Sequence, residues 1–71
     1  MQREDELLKL AERVFGAAPG SLSLDSRYGE TPGWDSVNHL RLAMEAEELL
    51  GLRYGIKRIP AMKRLGDFLC S

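Results

Sequence analysis

A chain of 71 residues suffices for one small domain, residues 1–71, and leaves no room for a catalytic cleft of ordinary size, so an enzyme is not expected. Hydrophobic residues make up 44% and charged residues 30%; no apolar run approaches the roughly 20 residues that span a bilayer, so a soluble protein without a membrane partner is expected. The net charge of -1 disfavours nucleic acid as a partner. That average hides an asymmetry. Residues 1–36 carry four basic side chains against seven acidic ones, a balance of -3, and residues 37–71 carry six against four, a balance of +2. The split fits protein partners read by charge, or two solvated faces of opposite sign. Met1 is followed by Gln-Arg-Glu-Asp-Glu without an apolar stretch, so no signal peptide is expected, and the single Cys70 offers no internal disulfide. A reducing, cytoplasmic setting fits, with Cys70 as a free thiol.

Leu7, Leu8, Ala11, Val14 and Phe15 recur at the spacing of one helix face, with Glu4, Asp5 and Glu6 in the first turn, where acid favours the helix dipole. The pattern predicts a first helix from about Arg3 to Phe15. Gly16 and then Pro19-Gly20 stop it, and a long loop runs to Asp35. Such a loop is longer than compact domains usually carry without a function. Leu22 and Leu24 are expected to pin it inward, Tyr28-Gly29 and Thr31-Pro32-Gly33 to turn it, and Trp34 to anchor it in the core.

A second helix is expected from Ser36 to Leu50, closed by Gly51 as a left-handed cap. On a helical wheel Val37, Leu40, Leu42, Ala43, Met44, Ala46, Leu49 and Leu50 cover well over half the circumference, which makes this helix central. The stripe Asn38, Arg41, Glu45 and Glu48 is left as the solvent face, with Arg41 and Glu45 spaced for an ion pair. His39 falls between Ala46 and Leu50, so a partly buried, hydrogen-bonded imidazole is expected. Beyond Gly51, a loop and a short third helix precede Pro60, which suits the first position of a last helix packed through Met62, Leu65, Phe68 and Leu69. The expected fold is all-α: a small four-helix bundle, three main helices plus a short third one, with the long loop between helices one and two.

The inventory of reactive groups is short. Ser36 and His39, three apart, raise nucleophilic catalysis, but nothing in the chain supplies an orienting acid, an oxyanion hole or a substrate pocket. One His and one Cys make no metal site, and the glycines and serines match no phosphate-cradling loop. At the loop-to-helix junction, Asp35 or Ser36 can serve as the N-cap, although His39 in place of Glu or Gln denies a full capping box.

Gly33-Trp34-Asp35-Ser36-Val37 resembles the attachment motif of acyl carrier proteins, where an aspartate, a serine and an aliphatic residue open the second of four helices. The likeness extends over nearly the whole chain: an amphipathic first helix, a long loop, the motif, the run Met44 to Glu48 with its paired glutamates, and an ending Leu65-Gly66-Asp67-Phe68-Leu69 similar to the family's Val-Gly-Asp-Leu. The resemblance implies a shuttle rather than a catalyst. Ser36 would receive 4′-phosphopantetheine from coenzyme A through a separate phosphopantetheinyl transferase, and Asp35 would help present it. Acyl or aminoacyl groups would then travel as thioesters between acyl-loading and acyl-transferring enzymes, with the chain a monomer. An exposed hydroxyl at a helix N-terminus suits a phosphodiester anion.

Val37 and Met44 would contact partners or the arm, and Asn38, Arg41, Glu45 and Glu48 would face the partner. Asn38, Arg41, Lys57 and Arg58 stand where fatty-acid carriers are often acidic, which implies a dedicated carrier in a specialised polyketide, lipid-modification or nonribosomal peptide pathway. The other reading is an unmodified helical interaction module that binds a protein through the stripe Asn38, Arg41, Glu45 and Glu48.

Overall fold

Local signals at the helix ends account for the main frame of the computed structural model, which describes residues 2–55 and 57–69; the Cys70 thiol lies outside them. Helix α1 spans Gln2–Phe15. It stops where the Ala17 N–H reaches back to the Glu12 carbonyl at 2.9 Å, a bond that consumes one of the last turn's unpaired acceptors. Leu7, Leu10, Ala11 and Phe15 are its buried face, while Leu8 and Val14, expected there, are half-buried.

Helix α2 spans Ser36–Leu50, as expected, and packs on α1 through Leu42, Ala43 and Ala46. Its end is Gly51 at φ +70, a conformation that suits glycine, and the chain is drawn back at once. Tyr54 N–H donates to the Glu47 carboxylate at 2.9 Å, and Leu52 and Tyr54 are buried.

The long loop is held more firmly than its two leucines alone would hold it. Leu22 is buried and Leu24 half-buried. Beyond this, Tyr28 N–H donates to the Lys63 carbonyl at 2.7 Å, Leu65 N–H to the Ser26 carbonyl at 3.1 Å, and Gly66 N–H to the Leu24 carbonyl at 2.8 Å. The loop thus pairs with the C-terminal segment.

That pairing explains where the architecture departs from expectation. Among the described residues there are two α-helices, two short 3-10 turns at Ile59–Ala61 and Leu65–Phe68, and no strand. The fold is mostly helical, but the short third helix and the last helix expected from Pro60 onward are these single turns. Met62 and Arg64 are extended, at ψ 122 and 158, because the backbone from Lys63 to Gly66 bonds to the loop and cannot also bond within a helix. The Asp67 carboxylate completes the last turn by accepting from Lys63 N–H at 3.0 Å and Arg64 N–H at 3.1 Å. Met62, Leu65 and Phe68 are buried regardless, since a spacing of three serves a 3-10 turn as well as an α-helix.

Candidate functional site

Four side-chain hydrogen bonds converge at the start of α2. Asp35 is the N-cap: its backbone is extended and its Oδ1 accepts from Asn38 N–H at 2.8 Å. Ser36 is therefore the first helical residue, released from capping, and it is exposed. The Asp35 carboxylate partly offsets the positive end of the helix dipole, and no further acidic side chain lies in the first turn.

Gly33 sets the approach to this corner. Its φ is +84, and a Cβ on it would run into the Phe15 backbone carbonyl, so the loop crosses the end of α1 where only glycine fits. Asn38 Nδ2 locks the same corner by donating to the Gly33 carbonyl at 2.7 Å. Expected on the open stripe, Asn38 is instead half-buried.

Behind Ser36 lies an aromatic cluster. Trp34 is buried and stacks on Phe15 at 5.2 Å and on His39 at 5.8 Å, with Tyr28 edge-on at 5.9 Å and Phe68 tilted at 6.2 Å. Trp34 Nε1–H donates to His39 Nδ1 at 2.9 Å. The other nitrogen of His39 contacts the Ile59 carbonyl. Because indole only donates, Nδ1 must accept, and the neutral ring carries its proton on Nε2, toward Ile59. His39 is hydrogen-bonded, as expected from the wheel, and at 8% exposed it is buried more deeply than the partly buried imidazole expected there. With both nitrogens engaged, it does not act as a base toward the Ser36 hydroxyl in this arrangement.

Ser36 and His39 share the wall of a pocket of about 390 Å³ with Tyr28, Leu40, Ile59, Pro60, Met62 and Lys63. Most of this lining is apolar, and Lys63 is its single charged group. Ser36 is identifiable from the sequence but the pocket is not: Leu40 lies one turn on from Ser36, whereas Ile59 to Lys63 arrive by tertiary folding.

The outward face of α2 differs from the expected polar stripe. Val37 is 65% exposed, Leu40 49% and Met44 58%, so an apolar row at spacings of three and four stands beside Arg41 and Glu48, both exposed, and half-buried Glu45. The wheel assigned these side chains to the core, but a domain this small covers α2 on one side only. Among the described residues Arg41 and Glu45 form no ion pair; Arg64 pairs with Asp25 and Asp67.

Among the described residues no three His, Cys, Asp or Glu side chains converge as a metal would require, and no helix is long and apolar enough to cross a membrane. No protein-family model, curated protein or solved structure matches the chain.

Proposed function

We propose that the chain is a carrier of the acyl carrier type, a cytoplasmic monomer that is not itself an enzyme and is modified on Ser36 by a phosphopantetheinyl transferase. The observation that carries this reading is the exposed Ser36 on the rim of an apolar pocket, at a helix N-terminus whose cap is supplied by its neighbour Asp35. In this reading the two α-helices and two 3-10 turns are a shortened form of the four-helix carrier bundle.

The residues present suit a 4′-phosphopantetheine arm. A phosphodiester on the Ser36 hydroxyl would sit by the first-turn amides other than that of Asn38, which Asp35 caps, and Lys63 lines the pocket beside it. The arm, when attached, supplies a thiol that holds acyl groups as thioesters. The chain's own part is to present the hydroxyl, neutralise the anion and offer Leu40, Ile59, Pro60 and Met62 as apolar shelter for a short cargo. Val37, Leu40 and Met44 dock on the enzymes that load and unload it, with Arg41 favouring an acidic partner rim and so a specialised polyketide, lipid or nonribosomal peptide pathway.

Incubation with coenzyme A, magnesium and a broad-specificity transferase is expected to add the mass of one arm to the wild type and nothing to Ser36→Ala. A wild type left unmodified by several competent transferases would sink the reading. The exposed row Val37, Leu40 and Met44 also favours a second reading, an unmodified module that binds a protein through this face. There Ser36→Ala leaves partner binding intact and Arg41→Glu abolishes it.

A further inference from the structure

We infer that His39 is a positioning residue, the latch that holds the Ile59–Ala61 turn against α2 and so gives the pocket beside Ser36 its far wall. The turn's backbone bonds are local: Ile59 N–H to Gly55, Ala61 N–H to Arg58 and Met62 N–H to Ile59. Among the described residues, the hydrogen bond that ties it to α2 is the one from His39 Nε2 to the Ile59 carbonyl. The latch is itself aimed. Trp34 Nε1–H on Nδ1 fixes both the plane of the ring and its tautomer, so the Nε2 proton points at Ile59 and nowhere else. Tyr28 and Phe68 close on the ring edge-on at 5.5 Å each and restrict its rotation.

Packing alone does not account for this residue. Among Tyr28, Trp34 and Phe68 a leucine would fill the space but leave the buried Trp34 indole N–H without an acceptor, whereas the imidazole is tolerated because both of its nitrogens are paired. The cost of histidine is offset by an attachment that no aliphatic residue can make. The consequence for cargo rests on the reading of Ser36 as the attachment point; the latch does not. With the latch made, Ile59, Pro60 and Met62 stay over the apolar pocket. With it broken, Ile59 and Pro60 swing from α2 while Met62 stays in the core, and a chain on Ser36 is left open to solvent.

The test needs no cargo to begin. In the unmodified wild type, nitrogen NMR of the one imidazole is expected to show the Nε2–H tautomer with a slowly exchanging proton. An Nδ1–H tautomer would overturn the inference, whether or not any variant folds. Hydrogen exchange of the Ala61 and Met62 amides should speed up by on the order of fivefold or more in His39→Leu, measured against the α1 core amides as a reference for global stability. His39→Gln, whose amide both accepts and donates, should recover part of that protection. Equal protection of the turn in wild type and His39→Leu would also overturn it.

On equal amounts of modified protein carrying a hexanoyl thioester, His39→Leu should lose the cargo to hydroxylamine several-fold faster than wild type, and unchanged loss would remove the sheltering role. A wild type that no transferase modifies, yet that shows the tautomer and the exchange effect, would sink the carrier reading and leave the latch standing.

Discussion

The two ends of α2 are closed by different chemistry. At its start, side chains do the work: Asp35 caps the Asn38 amide, Asn38 holds Gly33, and His39 joins Trp34 to Ile59. At its end, the backbone turns through Gly51 into open space, and Glu47 and Tyr54 then draw the chain back. A corner built from converging side chains holds a hydroxyl and a pocket in fixed relation. A corner built from one glycine and one carboxylate bond ends the helix and returns the chain to the core.

Substitution of the two glycines separates these cases most sharply. Both have positive φ, but only at Gly33 would a Cβ strike backbone. Gly33→Ala is expected to cost roughly 3 kcal/mol, left-handed strain plus overpacking against Phe15. Gly51→Ala has the strain alone and is expected to cost about 1 kcal/mol. Urea denaturation of both variants checks the ratio, and equal costs would mean that the loop relaxes away from α1.

A loss of about 1 to 2 kcal/mol is expected for Tyr54→Phe, whose missing hydroxyl leaves the Phe68 carbonyl without its 2.8 Å partner. Burial is the main reason this phenol is pushed up from 10 to about 12, with Arg58 opposing. The fold therefore favours the neutral phenol. Its contribution is whole below pH 10 and is lost as the pH rises toward 12. Stability measured across that window should fall more steeply for wild type than for Tyr54→Phe.

The smallest effect belongs to Asp67. The Lys63 N–H is the main cause holding its carboxyl below the usual range, against some burial, with the Arg64 N–H and guanidinium adding to it. A lowered carboxylate stabilises above the ordinary range, near pH 4, and the benefit disappears as the pH falls below it. Asp67→Asn should cost about 0.5 to 1 kcal/mol at neutral pH, the worth of a cap, and flatten the acid limb of stability against pH. Because Asp67 positions the segment bearing Met62 and Lys63, this variant also asks whether the start of α2 depends on chain far from it.

Both helices were legible in the sequence nearly to the residue, because their start and stop signals are local: acids in the first turn of α1, Asp35 ahead of α2, Gly16 and Gly51 behind. The anchoring of Trp34 followed from its size, and the hydrogen-bonded, at least partly buried place of His39 from its position on the wheel. What surrounds Ser36 was not legible. The last segment has the spacing of a helix, but its N–H and C=O groups are taken by residues 24–28, some forty positions earlier, and no local propensity reports that competition. Nor does a wheel tell which apolar side chains a small core has room to cover: it grouped Val37, Leu40 and Met44 with the core side of a central helix, all three stand in solvent, and only the family resemblance gave Val37 and Met44 outward contacts. The sequence by itself determined where an exposed serine opens a helix. Tertiary structure alone decided that an apolar pocket lies beside it, because the far wall comes from Ile59 to Lys63, brought there by a histidine twenty residues away and by the loop that pairs with them.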